Sequence, residues 1–170
     1  MNKLTITFLF VFIFSNSLIA QLVVGENASI TVAESASITV AGLEVHPNSN
    51  MVISGPNSID RNLTSISIDG AESMARHYTV SENLSSYSGS IVYNYTDDDM
   101  NGISHFAAMQ VLDSPDGMWM NYADEDEVDY SVTHTFENAV EIHSVTANDA
   151  TLSVETMAVS YTHLRAHETC

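Results

Sequence analysis

From residue 63 onward the apolar residues recur at every second position, and no window sustains the three-to-four-residue spacing of a helix. Successive side chains of a strand point to opposite faces, so such alternation marks strands with one buried and one wet side. It predicts strands over 63–68, 73–80, 88–95, 106–112, 118–122, 128–136, 140–147 and 151–157. Met74, Tyr78 and Val80 then share one face while Ser73, His77 and Thr79 share the other, and Ile91, Tyr93 and Tyr95 repeat the arrangement. Short strands joined by turns such as Asp113-Ser114-Pro115-Asp116-Gly117 predict an all-β fold, an antiparallel β-sandwich. Gly117 is expected to supply the left-handed residue that closes the hairpin before Trp119.

A second pattern precedes the sandwich. Gly25-Glu26-Asn27-Ala28-Ser29-Ile30-Thr31-Val32 is followed directly by Ala33-Glu34-Ser35-Ala36-Ser37-Ile38-Thr39-Val40, an eight-residue repeat in which each unit reads as a turn and a short strand. Two such units cannot bury a core alone, so they are expected to stack as a short solenoid or to lie against the sandwich domain. Turn residues over 47–50 and 54–58 flank Met51-Val52-Ile53.

The two ends read differently. Lys3 precedes the apolar run Phe8-Leu9-Phe10-Val11-Phe12-Ile13-Phe14, and small residues follow up to Ala20; this is the pattern of a signal peptide, too short for a membrane-spanning helix. Cleavage is expected before Gln21, with a cut after Ser17 as the alternative, and no membrane insertion is expected afterwards. At the other end residues 159–169 resemble the translation of a sequencing adapter, a transposase mosaic end with its extension, over eleven consecutive residues. The organisation is therefore a leader over 1–20, a β-repeat and connecting segment over 21–62, a sandwich over 63–158 truncated at its C-terminus, and an adapter-derived tail over 159–170.

Charge narrows the partners. The chain of 170 residues carries 22 Asp and Glu against 4 Lys and Arg, a net of −18. Nucleic acid and anionic membrane surfaces are excluded, because both are held by clustered cations. With 45% apolar residues it is nonetheless not a disordered acidic tail. Between Gln21 and Ala158 there are 21 acids against Arg61 and Arg76, a net of −19, with no Lys and no Cys. Disulfides, thiolate nucleophiles and Cys zinc sites are thereby removed. High salt, which shortens the Debye length, or bound divalent cations would relieve the repulsion.

The best chemical motif is Asp97-Asp98-Asp99-Met100-Asn101-Gly102, which matches the start of a calcium loop. Position twelve is Ala108 where an EF-hand needs Glu, and strands flank the loop, so an EF-hand is rejected. Two readings stand: a polar hairpin turn ending in Asn-Gly, and a weak structural calcium site on Asp97, Asp99 and Asn101 assisted by the acidic run 124–129. His134 is in phase with Tyr130, Val132 and Phe136 and is expected among core side chains, whereas His77 and His143 fall on polar faces. No G-x-S-x-G, H-E-x-x-H or Gly-rich phosphate loop occurs, so no catalytic residue and no other cofactor is expected; an enzyme using paired carboxylates for glycoside hydrolysis stays as a third reading, because sequence does not give their separation.

Gly42-Leu43-Glu44-Val45, Ile53-Ser54-Gly55-Pro56-Asn57-Ser58-Ile59, Tyr87-Ser88-Gly89-Ser90-Ile91-Val92-Tyr93-Asn94-Tyr95, Met100-Asn101-Gly102-Ile103 and Trp119 succeed one another in an order that resembles the uncharacterised β-rich segments of large exported proteins of gliding bacteria. The resemblance spans about 22–122 and implies type IX secretion, a secreted or cell-surface location, and partners among surface polysaccharides or other extracellular proteins. The expected function is a structural or adhesion-type β module without enzymatic activity. The alternative is a carbohydrate-binding module of a secreted polysaccharide-degrading enzyme, with Trp119, Tyr122, Tyr87 or Tyr93 stacking on sugars. Export is tested by mass spectrometry of culture supernatant: a peptide beginning at Gln21 is expected, and an intact Met1 peptide from the cytoplasm would count against it.

Overall fold

The computed structural model describes residues 21–149; the leader over 1–20, the strand read over 151–157 and the tail over 159–170 lie outside the described residues. Twelve strands run in chain order. The first six are β1 (Gln21–Val24), β2 (Ser29–Val32), β3 (Ile38–Val40), β4 (Leu43–Pro47), β5 (Met51–Ser54) and β6 (Asn57–Asn62). The others are β7 (Ser67–Ile68), β8 (Ala71–Glu72), β9 (His77–Asn94), β10 (Ala107–Leu112), β11 (Trp119–Ala123) and β12 (Ser131–Asp149). One 3₁₀ turn at Asp97–Asp99 connects β9 to β10. The fold is all-β with antiparallel pairing throughout, consistent with a sandwich. Among the described residues no helix is long and apolar enough to cross a membrane.

The main sheet runs β1-β6-β9-β12-β10-β11, and β4, with β3 beside it, adds to β9. Two strands of unusual length build both layers. Eighteen residues of straight strand span about 60 Å at ~3.3 Å per residue, yet the rings of Tyr78 and Tyr93, near opposite ends of β9, lie 5.8 Å apart edge to face. The strand therefore folds back on itself between its two halves. Its first half, 77–80, pairs with β6, and its last half, 89–93, pairs with β4. Asn83, Ser86 and Gly89 take positive φ in the bend (89°, 54° and 135°). At Gly89 a Cβ would stand 2.2 Å from the His46 carbonyl oxygen, so only glycine lets β4 approach there. β12 bends alongside, with register shifts between Phe136 and Val140, Val140 and Ile142, and Ile142 and Ser144.

The bend closes a core of Leu43, Val45, Ile59, Tyr78, Tyr93, Met109, Val132 and Ile142, each almost fully buried. Each such side chain contributes about 1.5–3 kcal/mol by leaving water. Met74, Tyr78, Val80, Ile91, Tyr93 and Tyr95 are all buried, as their alternation predicts. Ser73, expected on the wet face, is fully buried; its Oγ accepts from Ile66 N (2.9 Å) and donates to Met74 O (2.9 Å).

Several expected boundaries move. The strands read over 73–80 and 88–95 are one strand, β9, beginning at His77, and those read over 128–136 and 140–147 are one strand, β12. Pairing between β9 and β12 resumes beyond the residues whose side chains read as turns, across register shifts after Phe136, Val140 and Ile142, so each pair of segments forms one bulged strand. The strand read over 63–68 shrinks to β7, while β6 occupies a segment read as turn and connection. The β10–β11 hairpin forms, with Gly117 N donating to Ser114 O (2.9 Å). Gly117 is not left-handed, however; a Cβ there would meet the Asp113 carboxylate, an exposed side chain able to swing away, and the Ser114 carbonyl oxygen at 3.1 Å.

The repeat is real but does not stack. Equivalent positions Asn27 and Ser35 both take positive φ, and equivalent turn bonds join Ala28 N to Gly25 O and Ala36 N to Ala33 O. Val32 and Val40 are both buried, yet β2 pairs with β5 and β3 with β4. Segment 21–62 supplies β1, β4 and β6 to the same sheet as the later strands, so the strands on either side of Asn62 share one sheet.

Burial pushes the phenols of Tyr78, Tyr87 and Tyr93 above their ordinary range near 10. The unfolded chain then releases those protons first as pH rises, so the stability they lend is complete below about pH 10 and declines above it. Thermal melts across alkaline pH are expected to show this fall. Tyr87→Phe is expected to make it shallower, at a cost of about 1 kcal/mol at neutral pH from the lost bond to Ser90 O (2.6 Å).

Candidate functional site

The Asp97 loop folds around an arginine. Arg76 shares the phase of Met74 and Tyr78, points into the protein and is 8% exposed; Asp99 is 5% exposed. Arg76 Nε donates to Asp99 Oδ1 (3.1 Å) and Nη2 to Asp99 Oδ2, a two-pronged charge-assisted pair. Nη1 donates to Asn94 O (2.9 Å) at the far end of β9. The Arg76 carbonyl accepts from Tyr93 Oη (2.8 Å) and Thr146 Oγ1 (2.7 Å). Asp99 Oδ2 also accepts from Thr96 N (2.8 Å) and Thr96 Oγ1 (2.7 Å), and Asp99 O accepts from Ala75 N (2.7 Å). One residue pair thus ties both halves of β9, the 3₁₀ turn and β12 together.

The other expected ligands have different partners. Asp97 Oδ1 accepts from Tyr130 Oη (2.9 Å), and Asn101 Nδ2 donates to Ser73 O (3.0 Å) with the residue at φ 50°. Asp97, Asp99 and Asn101 thus serve three separate contacts, and among the described residues no three His, Cys, Asp or Glu side chains gather as a metal-holding group. A cation on Asp99 has to displace the guanidinium. The loop is not a hairpin either, since β9 and β10 both pair with β12 and not with each other.

The acidic run 124–129 divides its labour. Asp124 Oδ1 accepts from Thr133 N (3.0 Å), and Glu125 Oε2 accepts from Thr135 N (3.1 Å), so two carboxylates satisfy backbone donors of β12. Asp124, Glu127 and Asp129 line an open cleft of about 470 Å³ whose remaining walls are His105, Phe106, Ala107 and Ala123. Phe106 is 82% exposed. Behind it His105, Tyr95 and Tyr130 pack ring on ring at 5.0–6.0 Å, and Tyr95 Oη lies 3.0 Å from His105 Nδ1. The hydrogen bond to Asp97 and that residue's charge push the Tyr130 phenol upward.

Of the aromatics read as sugar platforms, Tyr87 and Tyr93 are buried and present no face to solvent. Tyr122 is half-buried against His134 (4.5 Å) and Phe136 (5.0 Å), and Trp119 is half-buried on β11 where a core position is its other expected place. His134 packs among rings as expected, with Nδ1 3.0 Å from Glu125 Oε1 but off the line of a good hydrogen bond. Tyr130, expected in phase with it, is 41% exposed. His77 Nδ1 lies 2.9 Å from Thr64 O. The cleft at Phe106 was not read from the sequence, although alternation puts Phe106 on the face opposite Ala107, Met109 and Val111.

No family model matches the chain, and no curated protein or solved structure matches it.

Asp99→Asn strands a buried guanidinium and is expected to lower stability by about 3–5 kcal/mol in urea denaturation. The Arg76→Met/Asp99→Leu double variant is expected to recover most of that loss. The same titrations at ~1 mM calcium and fixed ionic strength address the ion: wild-type stabilisation that disappears in Asp99→Asn would place calcium in the loop.

Proposed function

We propose that the chain is an exported structural or adhesion-type β module, secreted or held at the outer cell surface, that binds extracellular molecules and catalyses no reaction of its own. The observation that carries this reading is the acid-rimmed cleft at Phe106, which presents an exposed ring and apolar walls in a size range suited to ligand binding. Its support comes also from how the polar chemistry is used. Arg76, Asp99, Ser144 and Thr146 are buried and engaged in joining layers, Ser144 Oγ donating to Tyr78 O (2.7 Å). The leader pattern and the resemblance to type IX exported segments support the location. Trp119, half-exposed on β11, favours the second reading, a carbohydrate-binding module.

The test is display of the chain on a non-adherent cell, with retention under flow measured on protein-coated and polysaccharide-coated surfaces. Retention on protein that falls in Phe106→Ala, with the melting temperature unchanged, is expected. Retention on polysaccharide that depends on Trp119 and not on Phe106 would favour the carbohydrate reading. Release of reducing sugars would overturn both.

A further inference from the structure

β11 is the last strand of the main sheet. Its five residues pair one-to-one with β10, from Ala108↔Ala123 to Leu112↔Trp119, and among the described residues no strand pairs with its other edge. An open edge presents unpaired N–H and C=O groups, and proteins usually blunt it with Lys, Pro, a bulge or an inward charge. Trp119-Met120-Asn121-Tyr122-Ala123 carries none of these. Met118 (79% exposed) and Met120 (48%) stand along it instead, adaptable apolar side chains.

Acid brackets this uncharged edge. At its C-terminal end Ala123 borders the Phe106 cleft with Glu127 and Asp129 on the rim. Along its middle Met120 and Tyr122 border a second, smaller hollow of about 260 Å³ lined also by Glu141 and by Asp113, which follows the Leu112 partner of Trp119 at the strand's other end. No cation of the described chain answers these carboxylates: Lys is absent over 21–149, Arg61 lies on β6, and Arg76 is buried with Asp99. A strand laid along β11 would satisfy the edge by backbone bonds, and its ends would meet negative charge on both sides.

We propose that β11 receives, by strand addition, an extended segment of another protein that is uncharged and apolar in alternation at its centre and carries Lys or Arg at both ends. This names the partner chemistry of the adhesive reading and rests on it. A second copy of the chain is the wrong occupant on charge, since each copy brings its own acids to the same edge.

The experiment uses the full exported chain and a labelled synthetic peptide of about ten residues, Val and Thr alternating between terminal Lys-Arg pairs, long enough at ~3.3 Å per residue to overlap both hollows. Anisotropy is expected to show binding that weakens about fivefold in Glu127→Gln/Asp129→Asn and is lost in Met120→Lys. Amide exchange is expected to slow across 119–123 on adding the peptide. A control peptide with Glu in place of the basic ends is expected not to bind. Binding without new protection in β11, or equal binding of the acidic peptide, would overturn the proposal. So would protection of β11 before any peptide is added, whether concentration-dependent from a second copy or constant from this chain's own 151–157. Adhesion that survives Met120→Lys would remove strand addition and leave the adhesive module standing.

Discussion

The folding-back of β9 governs the rest of the molecule. Its two halves belong to opposite layers, so whatever holds Arg76 against Asn94 and Tyr78 against Tyr93 also holds the layers together. A strand can double over only where its backbone can leave the extended region and where its neighbours tolerate the extra residues. Asn83, Ser86 and Gly89 meet the first condition through positive φ. The second is met by β12, which places three residues, Ile142 to Ser144, against six of β9, Leu84 to Thr79. Because β12 bends at the same level, its pairing with β9 turns the corner through three register shifts and the layers share their hydrogen bonding.

Charge then decides which contacts survive in so acidic a protein. Only two cations lie between Gln21 and Ala158, and one is spent inside. A buried arginine is costly unless its donors are matched, and Arg76 is matched by both oxygens of Asp99 and by a carbonyl from the opposite layer. Buried ion pairs in general add little over a well-packed apolar replacement, and the expected value of this one is specificity, since a shift of the 3₁₀ turn would leave a charge stranded. Acids at 124 and 125 are handled similarly, by accepting from β12 amides in place of a cation. Most of the other carboxylates among the described residues are exposed, where water and salt screen them.

Much of the fold was legible from alternation, because a half-buried strand imposes period two on its side chains. The phase of Met74, Tyr78 and Val80 even carries Arg76 on the same buried face, a signal that goes unnoticed when only apolar residues are counted. Asp99 was not legible as its partner: three consecutive aspartates look alike in sequence, and which one turns inward depends on where β9 ends relative to β10. The joined strands were hidden for a related reason. Residues 81–87 have the composition of a turn, and Leu84 and Tyr87 among them pair with β12, more than fifty residues away in sequence. The Phe106 cleft arises from strand entry meeting the acidic loop, a contact that no single segment announces.

The same acids have two consequences at the β11 edge. An open, uncharged edge with exposed methionines invites identical chains to pair, and here no lysine or proline stands in the strand to prevent it. Carboxylates at both ends do so from outside: two copies meeting edge to edge would bring Asp113, Glu141, Glu127 and Asp129 of each into a space with no cation to separate them. That repulsion reaches about a Debye length, near 8 Å at physiological salt and about 3 Å at 1 M, so it protects the edge less as salt rises. It also acts only on negative partners. A segment with basic ends meets attraction where a second copy meets repulsion, so edge protection and partner selection come from one arrangement of charge and need no change in the strand itself.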